Sequence, residues 1–164
     1  MLQLNQLLAR LLQAEVEFVL VGGLAAAIHG SSLNTRDVDI CIRLSAENLM
    51  RIQSAVADLH PVHRTRPDIP LALTPEDCSR FKNLYLKTDL GIIDCLGEVR
   101  AVGDYEEALR HSIVLNLPIG QCRILDLETL IKAKEAMGRP HDLIAVQHLK
   151  AVLSLTPQTP RGDS

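Results

Sequence analysis

Residues 16 to 43 constrain this chain more than any other stretch. Val16-Glu17-Phe18-Val19-Leu20-Val21 is β-branched and aromatic and reads as a strand, and it stops at Gly22-Gly23 before an alanine-rich run that reaches His29-Gly30. After a loop over 31–36, Asp37-Val38-Asp39-Ile40-Cys41-Ile42-Arg43 reads as a second strand. Residues two apart on a strand face the same side, so Asp37 and Asp39 present their carboxylates together. Like charges that close need a compensating cation, and oxygen-only donors favour a hard one such as Mg²⁺.

The rest of the chain supplies the frame. Leu4, Leu7, Leu8, Leu11 and Leu12 fall at helical spacing over 2–14, an amphipathic first helix. Ser45 caps a helix to about Leu59, striped by Leu49, Ile52, Val56 and Leu59. Residues 61–80 hold Pro61, Pro67, Pro70 and Pro75 and keep no steady period; they read as an excursion with one short helix opened by Thr74-Pro75. Asn83–Thr88 and Gly91–Leu96 read as a hairpin turning at Asp89-Leu90. A short helix over 105–110 precedes two strand-like runs, 113–117 and 122–125, parted by Pro118 and Gly120. Asp126 then caps a helix ended by Gly138, and Pro140 starts a last helix to about Leu155. The expectation is one domain over 1–155, of α/β (α+β) class, with a mixed sheet of about five strands, helices mainly on one face and a C-terminal helical pair. The tail 156–164, with its Arg161-Gly162-Asp163, reads as disordered.

Composition narrows the function. With 164 residues the chain can bury a core without disulfides or a structural metal. A formal net charge of −3 and a pI near 6.0 argue against a broadly basic nucleic-acid binder. Two Phe, two Tyr and no Trp leave no platform for stacking successive bases. Four widely spaced cysteines with no Cys-x-x-Cys pair read as buried thiols in a reducing compartment, and no apolar run is long enough for a membrane span. The expected location is cytoplasmic, with no membrane partner.

Two further features add to the paired acids. Asp94 stands alone among Ile92, Ile93, Cys95 and Leu96, and an acid in so apolar a strand is costly unless paired or metal-bound. Gly22-Gly23 suits a phosphate cradle, because backbone N–H groups at a helix N-terminus attract phosphate oxygens and the missing side chains let them approach.

In this arrangement, Val21-Gly22-Gly23, then Asp37-Val38-Asp39, then Ile93-Asp94, the chain resembles the minimal nucleotidyltransferases of the DNA polymerase β superfamily, including the MNT/AbiEii-like members associated with toxin–antitoxin pairs. The resemblance runs on through Leu24-Ala25, His29-Gly30 and Thr35-Arg36, and again from Leu127 through Lys132 and Lys134 to Asp142, so it covers nearly the whole chain. It implies a nucleotidyltransferase fold and transfer of a nucleoside monophosphate from an NTP to an acceptor hydroxyl, with loss of pyrophosphate. The acceptor would be a protein side chain, a tRNA end or a small molecule, and a protein partner or homo-oligomer is compatible with it. Asp37, Asp39 and Asp94 would hold Mg²⁺ or Mn²⁺, and Asp94 could itself take the acceptor proton. Gly22 and Gly23 would hold the triphosphate, with Thr35 or Arg36 adding a donor or a charge.

His29 is read either as a phosphate contact or as a structural hydrogen-bonder, and Lys132 and Arg139 either as nucleotide contacts or as a solvated basic face. Lys87, on the strand before Asp94, is a further candidate for the phosphates. One residue departs from the pattern: relatives often carry an arginine two positions before the loop threonine, where this chain has Leu33. That departure supports an alternative, a catalytically weak or inactive binding module acting through a protein partner. A Rossmann-type dinucleotide binder is the third reading, and the missing Gly-x-Gly-x-x-Gly speaks against it.

Overall fold

The computed structural model describes residues 2–32 and 35–155. The tail 156–164 and Leu33 lie outside the described residues. In chain order the elements are α1 (Leu2–Gln13), β1 (Phe18–Val21), α2 (Gly22–His29), β2 (Asp37–Ile42), α3 (Ala46–Val56), β3 (Val62–His63), β4 (Arg66–Pro70), β5 (Asn83–Thr88), β6 (Gly91–Leu96), β7 (Glu98–Val99), β8 (Gly103–Asp104), α4 (Tyr105–Arg110), β9 (Ser112–Leu117), β10 (Gly120–Leu125), α5 (Leu127–Met137) and α6 (Pro140–Leu155).

Eight strands form one sheet in the order β4-β3-β5-β6-β2-β1-β10-β9, and β7 and β8 pair separately. Eight replaces the expected five or so; six of the eight runs were marked in the sequence. The unmarked strands of this sheet are β3 and β4, which fall in the proline-rich excursion, and the separate β7–β8 pair was unmarked too. All five residues of β4 are exposed and two of them are Pro67 and Pro70, so no alternating apolar face marks it. Proline is tolerated there because β4 is an edge strand, where a missing N–H breaks no ladder bond.

The sheet is mixed. β1 runs antiparallel to β2 and parallel to β10, and β2 runs parallel to β6. The antiparallel β1–β2 pair is incompatible with the all-parallel doubly wound sheet of a Rossmann-type binder. Fully buried Leu7 and Leu11 of α1, Leu49 and Ile52 of α3, and Leu20, Ile40 and Ile93 of the strands meet in a single core. Buried Asn48 ties α3 to the sheet: its amide donates to the carbonyls of Glu17 and Arg43 and accepts from the Glu17 N–H. At the C-terminal end α5 packs on α6, and both touch α2. Among the described residues no helix is long and apolar enough to cross a membrane.

Candidate functional site

Register brings the acids together. Asp39 of β2 lies opposite Asp94 of β6 in a parallel pair, and opposite partners project on the same face. Asp37 sits one alternation before Asp39 on that face. On the far side of Asp94, β5 places Tyr85 opposite it; on the far side of Asp39, β1 places Val21. One row across the sheet thus runs Val21, Asp39, Asp94, Tyr85.

The glycine pair follows Val21 directly. Gly22 is the first residue of α2 and has φ +70°, so strand passes into helix with no intervening loop. A Cβ on Gly22 would collide with the carboxylate of Asp39, and one on Gly23 would come within 2.8 Å of Thr35 Oγ1. The N–H of Gly23 donates to the Asp39 carboxylate. Thr35 braces the start of β2, its hydroxyl donating to the Asp37 carbonyl at 3.2 Å and accepting from the Asp37 N–H at 3.4 Å.

These residues line a cleft of about 780 Å³, large enough for a nucleotide. Gly22, Gly23, Thr35, Arg36, Asp37, Asp39 and Asp94 all face it. His29 and Lys132 do not. The His29 ring donates from Nε2 to the carbonyl of Leu125 at 2.8 Å, joining α2 to the end of β10. Lys132 and Lys87 are exposed and lie outside the lining.

Sequence reasoning missed three cations in the cleft, Lys134, Arg64 and Arg100. Lys134 of α5 is buried, with Nζ 3.8 Å from Asp142 Oδ1, and it acts electrostatically on Asp39. Its signal was present: Leu127, Leu130 and Ile131 mark the buried stripe of α5, and position 134 continues it at i+7, i+4 and i+3. Arg64, in the turn between β3 and β4, donates to Asp94 Oδ2 at 3.1 Å and lies over the Tyr85 ring, 5.2 Å from its centroid. No sequence signal marked it, because its strands were not recognised. Arg139, one of the weighed candidates, does line the cleft and donates to Asp142 at 2.6 Å.

The electrostatics are strained. Burial, then the neighbouring charges of Asp94 and Asp37, push the Asp39 carboxyl up to about 6, against the opposing pull of Lys134 and the Gly23 N–H. Burial also raises Asp94 above the usual carboxylate range, although Arg64 opposes it. Asp94 Oδ1 is buried and accepts no hydrogen bond, and the Arg64 guanidinium lies 3.1 Å from it as an ion pair. Burial pulls the Lys134 ammonium below its ordinary pKa, and Asp142 and Asp39 work in the other direction. Among the described residues no group of three His, Cys, Asp or Glu converges as a ready metal site. The donor set nevertheless fits a hard divalent cation: it is oxygen only, the carboxylates of Asp37 and Asp94 repel that of Asp39, and Asp94 Oδ1 is buried without a hydrogen bond.

No family model and no curated protein sequence matches the chain. Solved structures do match. A Thermotoga maritima protein provisionally named a nucleotidyltransferase superposes with a TM-score of 0.55 at 17% identity, over 93% of this chain and 91% of that one. An antigenic nucleotidyltransferase-like protein from Paracoccidioides brasiliensis gives a TM-score of 0.55 at 17% identity, over 94% of this chain and 76% of that one. At such identity the likeness is one of fold.

Proposed function

On this nucleotidyltransferase fold, we propose that the protein transfers a nucleoside monophosphate from an NTP to an acceptor hydroxyl and releases pyrophosphate. The observation that carries the reading is the cleft itself, in which the helix-opening glycines, the Asp37–Asp39 pair and Asp94 share one face of the sheet. Gly22 and Gly23 open α2 toward the triphosphate, and the Gly23 N–H, which donates to Asp39 in the free protein, would turn to a phosphate oxygen. Lys134 and Arg139 form a cationic wall opposite, and Thr35 and Arg36 close the loop side.

Asp37, Asp39 and Asp94 would hold Mg²⁺ or Mn²⁺, which when bound neutralises triphosphate charge and lowers the pKa of a hydroxyl beside it. The acceptor oxygen forms a bond to the α-phosphorus. The bond from that phosphorus to the oxygen bridging to the β-phosphate breaks, pyrophosphate leaves with the electron pair, and Asp94 accepts the hydroxyl proton.

The test is transfer of label from each α-³²P NTP, with Mg²⁺ or Mn²⁺, into total protein, total RNA and small hydroxyl compounds. Label should enter one fraction with wild-type protein and fall at least about a hundredfold with Asp39→Asn, which removes a charge from the metal-binding pair. A second reading, a binding module acting through a protein partner, draws on the engagement of Asp94 by Arg64. It predicts Mg²⁺-dependent NTP binding with no label transferred to any fraction.

A further inference from the structure

The cleft has two chemically different ends. Toward β1 lie the glycines and the start of α2; toward β5 and the β3–β4 turn lie Tyr85 and Arg64. Strands stand about 4.8 Å apart, so the step from Asp39 to Asp94 to Tyr85 leads away from the triphosphate cradle by about 10 Å. A hydroxyl that gives its proton to Asp94 therefore belongs to a molecule lying over Tyr85 and beside Arg64.

Arg64 is set for more than one partner. One terminal nitrogen of its guanidinium donates to Asp94, the Tyr85 ring lies beneath its plane, and its remaining nitrogens bond to none of the described residues. The side chain is 38% exposed, so those donors open into the cleft. A planar fork held in this way matches the two oxygens of a phosphate. Arg100, in the turn after β7, also lines the cleft and forms no ion pair among the described residues. Glu98 lines it too, so the cleft is not a diffuse basic field; the recognition element is the oriented fork. A neutral acceptor would leave that fork without a new partner.

We infer that the acceptor carries a phosphate group close to its reacting hydroxyl, gripped by Arg64. The inference rests on the nucleotidyl-transfer reading, since it is the role of Asp94 that places the hydroxyl beside Arg64. The shared chemistry is a phosphate ester next to a free hydroxyl, and both nucleotides and sugar phosphates supply it.

The test reads binding rather than turnover. Wild-type protein is first titrated with an α,β-methylene NTP analogue and Mg²⁺, then, saturated with it, with two matched pairs: AMP against adenosine, and glucose 6-phosphate against glucose. The phosphorylated member should bind about tenfold tighter or more, Arg64→Gln should bring the ratio near one, and Arg64→Lys should restore part of it. A preference confined to AMP assigns a nucleotide-bearing acceptor, and one confined to glucose 6-phosphate a sugar phosphate. Equal affinity within both pairs, or a preference that survives Arg64→Gln, overturns the inference while leaving nucleotidyl transfer standing. Failure to bind the analogue at all defeats the transfer reading, and the inference falls with it.

Discussion

At Gly22 the backbone holds a left-handed φ of +70° while the Asp39 carboxylate occupies the space a side chain would need. Gly22→Ala meets both obstacles, so it should lower stability by about 1–3 kcal/mol and abolish Mg²⁺-dependent NTP binding. The first shows as a shift in the urea midpoint, the second in a nucleotide titration. Lys134 is the other residue on which the site turns. Lys134→Met keeps the volume and leaves Asp142 paired with Arg139, so the fold should survive while NTP affinity drops by about tenfold or more in the same titration. Sequence reading singled out Lys132 instead, two positions away and on the opposite side of α5. The helical phase of Leu127, Leu130 and Ile131 distinguishes the two lysines, whereas the mere presence of a basic residue does not. The carboxylates were legible because alternation on a strand is a strict rule; Arg64 was not, because its approach to Asp94 depends on a long-range pairing that no local pattern encodes.

Elements with a buried face and marked ends were legible in the sequence. The β5–β6 hairpin keeps Leu84, Leu86, Ile93 and Cys95 buried around a two-residue turn, and α5 runs from its Asp126 cap to Gly138 as its end signals require. β4 has no buried face and stayed hidden. The junction of α5 and α6 adds a determinant of its own. Asp142 is buried and accepts from the N–H and the guanidinium of Arg139, half of a capping box at the start of α6. Burial opposes its charge, but Arg139, Lys134 and His141 outweigh that and hold its pKa below the ordinary 3.8. A depressed folded-state pKa gives stability that is complete above the unfolded value and lost as pH falls through the folded one. Asp142→Asn should therefore cost about 2–4 kcal/mol at neutral pH, and the gap from wild type should close only below about pH 3.8. Urea unfolding of both proteins between pH 7 and pH 2.5 checks the magnitude and the window.

Across the whole molecule, the four thiols report on how far the structure opens as one body. Cys41, Cys78, Cys95 and Cys122 are free and buried, and they sit in β2, the short 3-10 helix Asp77–Arg80, β6 and β10. Burial pushes Cys41 up to about 12 and Cys122 up to about 11, and raises Cys78 and Cys95 as well. A thiol reagent should label none of them in native protein at pH 8 and all four in urea, with a single rate near the transition if unfolding is cooperative. Stepwise labelling would reveal separate units. The sheet they span also bears on how the chain is made. Leu20 of β1 pairs with Ile124 of β10, a partner about a hundred residues later. A ribosome delivering the chain from its N-terminus releases Asp37, Asp39 and Asp94 before it releases either β10 or the lysine and arginine of α5 and its C-cap loop. Until then one flank of β1 has no neighbour, and the carboxylates face one another without their cationic wall. The nascent chain is thus held back from closing its centre until nearly all of it has been synthesised, and the cleft is complete only at the end of translation.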